Sequence, residues 1–238
     1  MLVNTRYRST EKEIMDDFSM KGALLRKTLD QIAVINKRLG GNKATLDGLA
    51  ALLKSTSRNR PLVIADLGCG NGDMLRMVAD FGRKNKYAFR LVGIDNNEFT
   101  VNYARECSAA YPEISFCRMD VTGREFEEQE FDIVLCTLFL HHFSNEEIER
   151  LLTGLLEQTG TGLVINDLHR SKVAYYLFRL ISIFISSSMA RNDGAISILR
   201  GFKKNELVDL NKKLQDTAGS IKWKWAFRYQ WIIRKKTE

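Results

Sequence analysis

Apolar residues near the start of the chain recur at steps of three and four: Leu25, Leu29, Ile32, Ile35 and Leu39. That spacing predicts an amphipathic helix over Ala23 to Leu39. Shorter helices are predicted over Glu11 to Met20 and Thr45 to Lys54, with Gly40 and Gly41 as the stop between the second and third. A polar stretch, Ser55 to Arg60, leads through Pro61 into a different pattern. Leu62 to Leu67, Phe89 to Ile94, Ile114 to Met119, Phe131 to Cys136 and Gly162 to Leu168 are short apolar runs of strand length separated by helical segments. This alternation predicts a largely parallel sheet with helices on both faces. A helical insertion over Lys172 to Ser186 follows, then a polar segment and a helix over Lys203 to Thr217. Ile221 to Phe227 and Gln230 to Arg234 lie too close together for a crossover helix, which predicts an antiparallel hairpin at the sheet edge. The organisation expected is an N-terminal helical cap over residues 1–60 and an α/β domain over 61–238, with a helical insertion at about 172–200.

The chain has 238 residues, 45% of them hydrophobic and 27% charged, enough for a large core and unlike disordered or fibrous sequences. Its longest apolar stretch, Val173 to Ile185, includes Arg179 and falls short of the roughly 20 residues that span a bilayer. The first 17 residues lack an apolar signal core, so a cytoplasmic location is expected. Cysteines 69, 107, 117 and 136 form no C-x-x-C pair, so neither a metal site nor a disulfide frame is expected. The net charge of +7 divides into +6 over residues 1–60, −8 over 61–165 and +9 over 166–238. Basic ends fit an RNA, a membrane or an acidic-substrate surface as partner, or ordinary solvated helices.

The segment Asp66-Leu67-Gly68-Cys69-Gly70-Asn71-Gly72-Asp73 follows the first strand and opens a helix from Met74 to Phe81. Glycines there allow a tight turn and a close approach of ligand to backbone. A dinucleotide fingerprint would place its third glycine at position 73, where this chain has Asp73. A carboxylate at that helix N-terminus competes with a pyrophosphate, an effect of about 0.3–1 kcal/mol, and suits a cationic ligand. Asp95 ends the second strand at the interval where an acid takes ribose hydroxyls, and Asp120 ends the third, within reach of an adenine amino group. Three carboxylates thus gather at the carboxyl ends of parallel strands, where open α/β sheets bind ligands.

The run D-L-G-C-G-N-G, then G-I-D, M-D-V and F-D-I-V-L-C, resembles the class I S-adenosylmethionine-dependent methyltransferases over residues 61–168. The resemblance implies a Rossmann-like seven-stranded sheet of order 3-2-1-4-5-7-6, its strand 7 antiparallel, and S-adenosylmethionine as cofactor. It implies that Gly68, Cys69, Gly70 and Gly72 line the amino-acid portion of the cofactor and that Asp66 faces its amino group or sulfonium. Asp95 falls to the ribose and Asp120 with Val121 to the adenine, and Asn96 and Cys136 are also expected to bind the cofactor. The remainder, including the helical N-terminus and the Asn166-Asp167-Leu168-His169-Arg170 run, is similar to small-molecule methyltransferases of lipid-quinone and polyketide pathways.

Methyl transfer from a sulfonium is an in-line displacement, so alignment dominates and a base helps hydroxyl acceptors. His142, His169 and Asp167, at the ends of the fourth and fifth strands, are the catalytic candidates. His141, Tyr175, Tyr176 and Arg200 are the candidates for holding the acceptor. The pair His141-His142 precedes Ser144-x-x-Glu147, a capping box, so either histidine also fits a packed turn. The Asp/Asn/Ser-Pro-Pro-aromatic motif of amino-methylating nucleic-acid enzymes is absent, which argues against DNA. The function expected is O-methylation of a small, hydrophobic, lipid-like acceptor, with RNA methylation and non-catalytic cofactor binding as alternatives. A homodimer is compatible with it. Residues 11–54 and 172–200 are expected to form one cap over the acceptor.

Overall fold

The protein is described by a computed structural model covering residues 3–54, 56, 57 and 59–236. Ser55 and Arg58, within the polar stretch before Pro61, lie outside the described residues. Seven strands form one sheet: β1 (Leu62–Leu67), β2 (Phe89–Asp95), β3 (Ile114–Arg118), β4 (Phe131–Thr137), β5 (Thr159–Leu168), β6 (Thr217–Lys224) and β7 (Arg228–Lys235). Their order is β3-β2-β1-β4-β5-β7-β6. The first five are parallel, and β7 runs antiparallel between β5 and β6, pairing Ile165 with Trp231 and Asn166 with Gln230. The predicted hairpin is therefore present, starting four residues earlier than its apolar run.

The helices are α1 (Ala23–Arg38), α2 (Gly41–Leu53), α3 (Asp73–Asn85), α4 (Glu98–Cys107), α5 (Arg124–Glu127), α6 (Asn145–Gln158), α7 (Lys172–Ile181), α8 (Ser188–Arg200) and α9 (Lys204–Lys213). One face of the sheet is covered by α2, α3 and α4 through Leu49, Leu52, Leu75, Val78 and Val101. The other is covered by α6 and α9 through Leu152, Leu155 and Leu207, with Trp231 buried among them. Ser144 starts α6 with the capping box read from the sequence: its hydroxyl accepts from Glu147 N at 3.3 Å, and the Glu147 carboxylate accepts from Ser144 N at 2.7 Å.

Three expectations need correction. Glu11 to Met20 is not a helix; one 3-10 turn, Ile14–Asp16, interrupts an extended strap. The polar segment after residue 186 is the helix α8, started by Ser187, whose hydroxyl accepts from Ala190 N. It is buried on several sides at once, so it has no single apolar stripe to betray it. Finally, α2 is a layer of the sheet rather than part of a cap. Asn166 Nδ2 donates to Gly41 O (2.8 Å) and Thr45 Oγ1 (3.0 Å), and Gln230 Nε2 donates to Ala44 O (2.5 Å). Of the segments expected to form a cap, that leaves the strap, α1, α7 and α8.

Candidate active site

The glycine loop leaves β1 with Gly68, Gly70 and Gly72 all at positive φ (67°, 52° and 77°), a conformation open to glycine and strained for other residues. A Cβ on Gly68 would sit 2.5 Å from the Phe139 ring, so the absence of a side chain is also a packing requirement. The loop is pinned to the end of β2 by Gly68 N and Cys69 N, both donating to Ile94 O at 2.9 and 3.1 Å. Above it lies α1: Asn71 Nδ2 donates to Asp30 Oδ1 at 3.1 Å, and Tyr103 Oη donates to the same carboxylate at 2.7 Å.

Asp66 is fully buried, and its Oδ1 has no hydrogen-bond partner among the described residues. Burial, then Asp73 and Asp95, push its carboxyl well above the ordinary range. A buried acid in that state is matched by a cation, which the ammonium and sulfonium of S-adenosylmethionine supply. Asp73 accepts from Asn42 Nδ2 at 2.7 Å, which places a second carboxylate at the helix start. Asp95 accepts from Gly70 N (3.3 Å) and Asn97 N (3.0 Å). Burial raises it to about 6 although these amides pull the other way. Asp120 is exposed in a turn, its Oδ1 accepting from Thr122 N at 2.9 Å. Cys136, buried in β4, feels both Asp66 and Asp167, which sets it between the glycine loop and the end of β5. These residues fit the cofactor. Replacing Asp95 with alanine is expected to weaken S-adenosylmethionine binding about 10- to 150-fold, the loss of hydrogen bonds to a charged acceptor, as read by calorimetry. Binding within twofold of the unaltered protein would contradict the ribose assignment.

Past β4 the chain passes through Leu138 in the left-handed region (φ 54°), its amide donating to Asn166 O at 2.8 Å. This strained step leads into the His141-His142 turn. His141 is buried, its Nδ1 2.7 Å from Asp167 Oδ1 and its Nε2 3.5 Å from Glu13 Oε1. Burial alone would lower its pKa, but Asp167 and then Glu13 raise it to about 9. The residue is an imidazolium held between two carboxylates. His142 is partly accessible and has its Nδ1 2.7 Å from Asp16 Oδ1. Burial opposes ionisation of Asp16, yet the hydrogen bonds from His142 and Arg200 hold it well below the usual carboxylate range. His142 also lies near enough to Asp95 for their charges to interact.

The structure thus brings together His141, His142, Asp167 and Arg200 from the residues singled out in the sequence. Arg200 is not free to receive an acceptor: it donates to His141 O (3.0 Å), His142 O (2.6 Å) and Asp16 Oδ2 (2.6 Å). His169 is set apart. It receives Trp223 Nε1 on Nδ1 at 3.4 Å and packs edge-on to Tyr229, and burial with Arg170 and Lys203 lowers its pKa. Asp167 bonds His141 rather than His169. Tyr175 and Tyr176 stack in a T-shape on α7, and Tyr176 Oη accepts from Val3 N.

Glu13 and Asp16 carried no signal in the sequence, because the strap is irregular and its partners are over 120 residues away. Three arginines and an aspartate fasten it. Arg8 donates to His141 O (3.0 Å) and Phe143 O (2.8 Å), Arg170 donates to Thr5 O (3.1 Å), and Asp193 accepts from Ile14 N and Met15 N. Arg200 supplies the fourth tie through Asp16. Helices α1 and α8 meet beside it, with Thr28 and Ser187 hydroxyls 2.7 Å apart and Ser187 N donating to Gln31 Oε1 at 2.8 Å. Glu13, His141 and His142 also bring three atoms of metal-ligand type within 4.8 Å of one another. His141 offsets one of the two carboxylate charges beside it, and Arg200 Nη1 lies 3.9 Å from Glu13 Oε1.

Residues 64–171 match the profile of a methyltransferase domain family. Over 96 residues the chain is 33% identical to the eEF1A lysine and N-terminal methyltransferase of Homo sapiens and 31% identical to that of Bos taurus. The match takes in 40% of this chain and spans only 13% of those relatives. The plantazolicin methyltransferase BpumL in complex with SAH superposes with a TM-score of 0.65 at 16% identity, covering 90% of this chain and 95% of that one. Magnesium protoporphyrin IX methyltransferase from Synechocystis PCC 6803 with bound SAM gives 0.57 at 14%, covering 94% and 89%. Residues 64–171 thus match a methyltransferase domain, and the chain shares its fold with methyltransferases solved with SAH or SAM bound.

Proposed function

We propose that the protein is a class I S-adenosylmethionine-dependent methyltransferase that methylates a hydroxyl oxygen of a small, hydrophobic acceptor, with His142 as the general base. The observation that carries this reading is the His142–Asp16 pair. Asp16, itself anchored by Arg200, fixes the proton of His142 on Nδ1 and leaves Nε2 as an acceptor, partly accessible and beside Asp95 of the cofactor site. S-adenosylmethionine, when bound, supplies an electrophilic methyl group on a sulfonium. Nε2 of His142 would take the proton of the acceptor hydroxyl as that oxygen is methylated. Asp16 stabilises the imidazolium so formed, and the His141 imidazolium keeps the adjoining turn rigid. The strap, α1 and α8 close over this end of the sheet, which restricts the acceptor in size and excludes water.

Small acceptors are supported by the structural neighbours, whose names are those of plantazolicin and magnesium protoporphyrin IX methyltransferases. The four cysteines are free, as suits a cytoplasmic protein. The test is incubation of the protein with methyl-labelled cofactor and a fractionated cell extract. Label is expected in organic-soluble material; label confined to nucleic acid or protein overturns the acceptor class. With the acceptor in hand, His142→Ala is expected to lower turnover by about 10²- to 10⁴-fold with cofactor affinity retained. Unchanged turnover would leave alignment alone as the source of catalysis.

A further inference from the structure

Helix α7 and the turn Ser182–Phe184 after it form the most unusual surface of the molecule. Their inner side is fastened to the body: Ala174 is buried, and the Phe178 ring occupies the space that a Cβ on Gly194 of α8 would need. The outer side carries Val173, Leu177, Leu180, Ile181, Ile183 and Phe184, all exposed, with Leu180 at 62%, Ile183 at 69% and Phe184 at 89%. Spacings of three and four place these side chains on one stripe, where a solvated helix would carry polar residues. Helix α7 packs mainly on α8 and on the turn that follows it, not on the strands that carry the glycine loop.

The charge around the stripe says what covers it. From residue 168 to residue 192 the chain contains no Asp or Glu, and it contains Arg170, Lys172, Arg179 and Arg191. Arg170 is buried against Glu206, while Lys172 and Arg179 are exposed on α7 itself. A second copy packed on this face about a two-fold axis would set Lys172 and Arg179 near their own counterparts with no acid on the helix to meet them. A layer of phosphate headgroups meets both the basic residues and the apolar stripe. The stretch from Lys172 to Phe184 is about 20 Å long at 1.5 Å per residue, too short to cross a bilayer and suited to lying in its plane. Among the described residues no helix is long and apolar enough to cross a membrane.

We propose that α7 and the Ser182–Phe184 turn are a docking surface for an anionic lipid bilayer, the apolar stripe entering the acyl boundary and Lys172 and Arg179 lying at the phosphates. This does not depend on which atom of the acceptor is methylated. The test is co-sedimentation of the full chain with vesicles of phosphatidylcholine alone and of equal parts phosphatidylcholine and phosphatidylglycerol. Binding is expected to the mixed vesicles, to weaken as salt is raised, and to fall about tenfold or more in the double variant Leu180→Glu, Phe184→Glu. That variant is expected to keep its circular dichroism and its cofactor affinity, because neither residue touches the cofactor site. Failure to sediment with mixed vesicles overturns the proposal, as does equal binding to neutral vesicles or undiminished binding by the double variant. Sedimentation velocity without lipid is expected to give a monomer. A dimer abolished by the same two substitutions would assign the stripe to a second copy instead.

Discussion

His141→Ala is expected to cost the fold about 3–5 kcal/mol, the range for removing one partner from a buried ion pair. The imidazolium is 2% exposed and lies between Asp167 at 2.7 Å and Glu13 at 3.5 Å. Its removal leaves two buried carboxylates facing a cavity, and the loss is limited only because they can then take up protons. The same pair gives the unaltered protein a pH dependence of definite sign. The pKa of His141 rises from 6.5 to about 9 on folding, so its contribution is complete below the lower value and is lost as pH climbs through about 9. Asp167 moves the opposite way: burial opposes its ionisation, but His141 lowers its pKa, so its contribution is lost on acidification below the ordinary aspartate range. Denaturant unfolding across this range is expected to show stability declining on the alkaline side in the unaltered protein. His141→Ala should lack that decline. Equal stability of the two proteins at neutral pH would mean that the carboxylates do not depend on the imidazolium.

The second large effect belongs to the strap. Deleting residues 1–20 is expected to lower acceptor turnover by at least about 10²-fold while leaving cofactor affinity within a few-fold, because the deletion removes Asp16 from His142 and Glu13 from His141. The glycine loop, Asp66 and Asp95 lie on the sheet and lose none of their hydrogen-bonded neighbours from it. Asp16→Ala tests the same point without a truncation, and it should reproduce most of the loss by freeing the ring of His142 to rotate. A deletion reaching residue 54 is expected to unfold the protein instead. It would strip Leu49, Leu52 and Leu53 of α2 from the core, each contributing about 1.5–3 kcal/mol. Full turnover after removal of residues 1–20 would show that the strap neither orients the base nor covers the acceptor.

The glycine loop and the acids beside it were legible because they are local. Gly68, Gly70, Gly72 and the acids at the ends of β1 and β2 follow from a strand that must turn sharply into a helix, and such a turn is written in consecutive residues. The sheet was legible for a related reason: strands buried on both faces are continuous apolar runs, and their alternation with helices leaves few topologies. The capping box at Ser144 also depends on neighbours three residues apart.

What the sequence did not disclose depends on contacts between distant segments. Residues 11–20 have the composition of a short amphipathic helix, but Asp193 takes the amides of Ile14 and Met15 and Arg200 takes Asp16, so the backbone runs as a strap. The roles of the two histidines were decided in the same way. Adjacent in sequence and similar in chemistry, they differ because Asp167 and Glu13 enclose one while Asp16 supports the other at the surface. Asp167 near the end of β5 and His169 just past it were separated because the antiparallel β7 and its hairpin draw His169 toward Trp223 and Tyr229. By itself the sequence determined the sheet, the glycine loop and the placing of Asp66 and Asp95 at strand ends, since local turn geometry and hydrophobic period dictate them. Which carboxylate faces which histidine, and which side of α7 meets solvent, were decided only by tertiary packing, because charges and apolar faces acquire their partners when remote segments come together.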